Sequence, residues 1–150
     1  MVGWAIVIER SKTARQIIAG ANSGHMAMLN MESGVWNEWE YVNPPLLLGV
    51  EYRTTERHLG KPVYRKAFAY MAPGTVTGDF TVAHGINNFG QLVECHVVID
   101  KTIPLPYANG GFLTTIGKVS ADSVRISNDN PYFDQNYTWY IEVACTKTTD

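Results

Sequence analysis

Charge is what this 150-residue chain has least of. Charged residues make up 17% of it, against roughly 25% in an average globular protein. Twelve basic residues against 14 acidic ones leave a formal charge of −2. A nucleic-acid binder neutralises phosphates with a basic surplus, so no nucleic-acid partner is expected. Cysteine is scarce too: two residues can make neither a disulfide framework nor a four-thiolate zinc site. No apolar run approaches the roughly 20 residues of a membrane-spanning helix, and no basic segment precedes the apolar stretch at the N-terminus. Membrane insertion and a signal peptide are therefore not expected. Glycine (13) and proline (7) are near ordinary abundance, which speaks against collagen-like and low-complexity chains. These absences leave a soluble globular protein, about one domain by length, made in a reducing cytosol.

Motifs that carry chemistry are missing as well. No G-x-G-x-x-G or G-x-x-x-x-G-K-[ST] phosphate loop occurs. In Gly20-Ala21-Asn22-Ser23-Gly24 the serine sits one place too late for a G-x-S-x-G elbow, and no helix pattern follows, so the segment reads as a hairpin turn. His25, His58, His84 and His96 include no pair at i, i+2 or i, i+4, so they form no local metal motif. His84, closing Val82-Ala83-His84-Gly85, reads as a hydrogen-bonded turn residue, the alternative being a ligand on a symmetry axis. Asn128-Asp129-Asn130 with Asp134 is rich in oxygen but has neither the spacing nor the glycine of an EF-hand loop, and reads as a turn. Fourteen carboxylates single out no glycosidase pair. No catalytic residue, metal or cofactor is expected, and the chain is not expected to be an enzyme.

What is present is strand-forming. Val, Ile and Thr number 37 and the aromatics 17, against 25 Leu, Ala and Met; β-branched and aromatic side chains suit a pleated surface. From Tyr137 to Thr146 the residues alternate, with Trp139, Ile141, Val143 and Cys145 on the more apolar face, which is the period of a strand. Leu92–Asp100 and Val63–Met71 alternate likewise. Weaker strand candidates are Trp4–Glu9, Ile17–Ala19, His25–Met31, Val50–Thr54, Thr75–Ala83 and Phe112–Ser120. Cys95 and Cys145 fall on the apolar faces and are expected as buried thiols. Ser11–Ala19 is the best helix candidate, but it lacks the acidic third residue of a capping box and ends at Gly20. Turn chemistry at Ser33-Gly34, Pro73-Gly74, Asn109-Gly110-Gly111 and Asn128 to Pro131 separates the runs. The expected fold is all-β: an antiparallel, jelly-roll-like β-sandwich preceded by a short β-meander.

The boundary is Asn43-Pro44-Pro45, which cannot continue a central strand. Residues 1–43 form the meander and residues 44–150 the sandwich. A meander that small is unstable alone in water, yet it carries a heavy apolar load, and Leu46-Leu47-Leu48 adds another apolar run. Such surfaces mark interfaces. Trp4, Ile6, Trp36, Trp39, Leu46 and Leu48 are the candidate contacts between copies, the alternative being ordinary packing inside one chain. Aromatic and amide side chains also concentrate in loops: Tyr107, Asn109, Asn128, Asp129, Tyr132 and Phe133 are candidate contacts for a saccharide, since aromatic faces suit pyranose rings and amides and carboxylates suit hydroxyls.

Four segments resemble known proteins. Gly34-Val35-Trp36-Asn37-Glu38-Trp39-Glu40-Tyr41, followed by Asn43-Pro44-Pro45, resembles the Trp-x-x-Trp end of knob-like β-domains in phage and pyocin tail fibres. Gly49 to Arg57, continuing through Gly60-Lys61-Pro62-Val63-Tyr64-Arg65-Lys66, resembles the opening of C-terminal head domains in siphophage tail and baseplate proteins. Thr81-Val82-Ala83-His84-Gly85-Ile86 and the ending Tyr140 to Asp150 are similar to later landmarks of the same group. The chain departs from the pattern at His58-Leu59, where such heads often carry a tryptophan. The resemblance implies a receptor-binding module at a fibre tip, a homotrimer that recognises bacterial surface polysaccharide. It would sit extracellularly at the virion tail after assembly in the host cytoplasm, with residues 1–43 as the stub of a longer fibre. It supplies no binding residue that maps onto this chain. Two alternatives stand beside it: a purely structural fibre or baseplate segment, and a small glycan depolymerase or esterase using Glu51, Glu56 or Asp79.

Overall fold

The computed structural model describes residues 3–21, 23–71, 78–130, 133 and 137–149. Fourteen strands make up nearly all of the regular structure: β1 (Gly3–Ser11), β2 (Ala14–Ala21), β3 (Met26–Glu32), β4 (Val35–Trp36), β5 (Glu40–Tyr41), β6 (Glu51–His58), β7 (Lys61–Met71), β8 (Gly78–Ala83), β9 (Phe89–Ile99), β10 (Ile103–Pro104), β11 (Tyr107–Asn109), β12 (Phe112–Val119), β13 (Ser123–Asn128) and β14 (Thr138–Lys147). The all-β expectation holds, and the helix candidate at Ser11–Ala19 is occupied by β2. Ile17 and Ile18, both β-branched, pair there with β1 and β3 instead of packing along a helix.

Two sheets result. The larger runs β1-β2-β3-β5-β6-β7-β14-β9-β10, with β4 beside β3; the smaller runs β11-β12-β13-β8. In the second half of the chain the pairing is nested. β7 pairs with the last strand β14, and β8 with β13, all antiparallel, as in a long hairpin rolled into a two-sheet jelly roll. The core lies between the sheets. Val97, Ile99, Trp139, Ile141 and Val143 from the larger sheet meet Val82, Val124 and Ile126 from the smaller one, all of them buried. Phe80 of β8 meets Trp139 edge-on at 5.1 Å between ring centroids, tying the sheets together.

The proline break separates the two parts of the larger sheet. Residues 42–50 contain no strand, and across them the path continues through one parallel bridge, Tyr41 to Thr54. Charge reinforces that joint. Glu40, buried, accepts from Arg53 Nε at 3.0 Å and from Arg57 Nη2 at 2.7 and 2.8 Å. Asn43 closes the other side: its side chain accepts from the Met26 amide and donates to the Gly24 carbonyl, holding the turn between β2 and β3.

Candidate functional site

The sheet formed by β1, β2 and β3 differs from an ordinary antiparallel sheet, which has one apolar and one polar face. Its register puts Trp4 opposite Gly20, Ile6 opposite Ile18 and Ile8 opposite Gln16, with Met26 and Met28 next in line on β3. The opposite face carries Val7, Ile17, Leu29 and Met31. Both faces are therefore apolar. Trp4 lies across Gly20: a Cβ there would meet the indole at 2.5 Å, so the glycine makes room for the ring. Even so, Trp4 stays 47% exposed and Ile6 53%. Trp36, Trp39 and Leu48 are exposed too, whereas Leu46 is half-buried at a positive φ of 48°.

The loop candidates come together at one edge of the smaller sheet. Tyr107 pairs with Thr114, and Thr114 with Asn128, so residues distant in sequence become neighbours across three strands. Phe133 then packs on Tyr107 with 5.5 Å between ring centroids. Asn109 and Asp129 are exposed and Tyr107 is half-buried. Asn128 and Phe133, placed in loops by sequence reading, are interior. Asn128 is fully buried, accepting from Thr114 Oγ1 at 2.7 Å and from the Asn130 amide at 3.2 Å. Phe133 belongs to the core beside Tyr137 and Trp139. Both hold the neighbouring chain in place instead of facing solvent. Tyr132 and Asp134 lie outside the described residues.

Other sequence candidates have structural partners. His84 is buried, with Nε2 3.2 Å from the Ser120 carbonyl and Nδ1 accepting from the Ile86 amide at 3.1 Å, as expected of a turn residue. Glu51 pairs with Lys147, Glu56 with Arg65 and Asp79 with Arg125. Hydrogen bonds from Ser127 and Arg125 hold the Asp79 carboxyl below its ordinary value, the opposite of what a general acid requires. Burial pushes the thiols of Cys95 and Cys145 up to about 11, reinforced by Glu142 and Glu51 respectively. Among the described residues no group of three His, Cys, Asp or Glu side chains is arranged to hold a metal.

Sequence reading did not find a cleft at the joint between the two parts of the larger sheet. It has a volume of about 360 Å³, and its lining includes Trp39, Tyr41, Tyr52, Arg53, Tyr64 and Lys147. Lys147 Nζ lies 4.4 Å from the centroid of the Tyr64 ring while pairing with Glu51. Arg53 donates to the Tyr64 hydroxyl at 3.3 Å, and Tyr41 meets Tyr52 edge-on at 5.0 Å.

The sequence matches no known protein-family model and no curated protein. Among solved structures the fold is similar to an N-truncated R2-type pyocin tail fibre, at 11% identity and a TM-score of 0.40, over 95% of this chain and 81% of that one. It is also similar to C-terminal pieces of the P. aeruginosa R1 and R2 pyocin fibres, at 12% and 10% identity with TM-scores of 0.37. In those two cases the match again covers 95% of this chain, but only 57% and 56% of the fibre pieces.

Proposed function

We propose that this chain is the receptor-binding module of a tail fibre: a homotrimer that attaches to bacterial surface polysaccharide without catalysing a reaction. The observation that carries the reading is the N-terminal sheet with two apolar faces and a strand, β1, exposed along its whole length. A single copy leaves both faces wet, and exposed apolar surface of this kind marks contact with other chains. Contact among three copies under closed symmetry covers it without open-ended growth. The tail-fibre setting and the number three come from the resemblance of the four sequence segments. Residues 1–43 then serve as the fibre-side stub and residues 44–150 as the head.

In this reading Tyr107, Asn109, Asp129 and Tyr132 touch the polysaccharide, and Asn128 and Phe133 position them. Three weak sites engaged together hold far more tightly than one. Adsorption of the protein to host cells tests the assignment. Tyr132→Ala and Tyr107→Ala are expected to reduce adsorption with folding intact, and unchanged adsorption removes those residues from the site. The interior position of two of the candidates favours a second reading, a structural fibre segment that trimerises but binds no glycan. A glycan array on the protein separates the two: specific signal supports attachment, and a blank array on well-folded trimers supports the structural role.

A further inference from the structure

We infer that the cleft at the joint between β5, β6 and β14 is a second binding site, for a single neutral pyranose unit. Its volume falls in the range of small-molecule sites, and its lining has the mixture that sugars select. Trp39, 42% exposed, offers an aromatic surface at the cleft. Glu38 and Glu51 accept hydrogen bonds, Arg53 and Lys147 donate them, and the Asn88 amide does both. The charges balance, two of each sign. Each is already engaged by a partner of opposite sign, Lys147 with Glu51 and Arg53 with Glu38 and Glu40. An ionic ligand therefore finds no uncompensated charge, whereas hydroxyl groups find the Arg53 and Lys147 donors already fixed in position.

The rigidity of the walls supports the assignment. Arg53 is held by buried Glu40, which also takes Arg57, and Lys147 is fixed between Glu51 and the face of Tyr64. Side chains locked before binding lose little freedom when a ligand arrives. The choice of a sugar among small polar ligands rests on the attachment reading; the cleft and its lining do not.

The test uses the full chain labelled with 5-fluorotryptophan, whose four tryptophans give separate fluorine resonances, with Trp39 assigned by Trp39→Phe. Methyl glycosides of common neutral hexoses and N-acetylhexosamines are titrated in turn. At least one is expected to move the Trp39 resonance saturably. Asn88→Gly is expected to weaken that binding about tenfold, the worth of one or two lost hydrogen bonds. Asn88 sits at φ 56°, where glycine is at ease, so the backbone tolerates the change. Lys118→Ala, at an exposed position of β12 outside the cleft lining, is expected to leave the titration unaltered. The inference is overturned by a Trp39 resonance that responds to none of the sugars, or by a response indifferent to Asn88→Gly. Normal adsorption to cells with a silent Trp39 removes the cleft alone. A saturable Trp39 response in a protein that does not adsorb removes the attachment reading and leaves the cleft.

Discussion

The two parts of the larger sheet are built from similar residues and end in opposite states. In β14, Trp139, Ile141, Val143 and Cys145 are sealed from solvent because the smaller sheet lies across them. In β1, Trp4, Ile6, Val7 and Ile8 are as apolar as those, and all are exposed. Gly20 alone is buried among the residues of β1, β2 and β3. Periodicity explains the contrast. The head strands alternate between an apolar and a more polar face, so one covering layer suffices; the N-terminal strands are apolar on both sides and need two. The head completes its core within the chain; in the proposed assembly the N-terminal sheet completes its own against other copies.

The largest effect is expected from attacking the stub. Placing aspartate at Ile6 and Ile18, which face each other across β1 and β2, should abolish assembly while the head keeps its β-rich circular dichroism. Loss of head structure along with assembly would show that the two parts fold as one. Next comes Trp139→Ala in the head, expected to cost about 3–5 kcal/mol in urea denaturation because it empties the centre of the core. A cost below about 1 kcal/mol would mean that the sandwich core is loose.

Smaller effects sharpen the contrast. Gly20→Ala forces the indole of Trp4 off the sheet and should destabilise by about 1–2 kcal/mol, measured as dissociation at a higher protein concentration on dilution, with the head's own unfolding unmoved. The two thiols, raised to about 11 by burial, should react slowly with Ellman's reagent at neutral pH and quickly after unfolding; fast reaction in the native protein would place them outside the core. The smallest effect concerns pH. Hydrogen bonds from Ser120 and Ser123 lower the Asp122 carboxyl, so its contribution is present above the ordinary carboxylate range and lost as pH falls through the lowered value. Ser120→Ala should raise that titration toward the ordinary value, as read by carboxyl carbon NMR.

Strands were legible where alternation ran long. Tyr137–Thr146 and Leu92–Asp100 correspond to β14 and β9 within a few residues. β13 escaped notice because its pattern is short: Val124 and Ile126 alternate with polar neighbours for only six residues between two turn-prone stretches. The candidate sites were harder to read, since they depend on pairing. Asn128 looks like a loop amide until the register of β12 and β13 brings Thr114 beside it. The cleft joins Glu51 to Lys147 across 96 residues, a juxtaposition that local periodicity does not encode. The apolar load of residues 1–43 was visible, and its two-sided placement followed once the register of β1, β2 and β3 was known.

The molar mass in solution tests the account most directly. Light scattering on the intact chain should give three times 16.7 kDa, holding across dilution into the low micromolar range. A stable, monodisperse species at 16.7 kDa, with the stub folded and Trp4 in water, would contradict it.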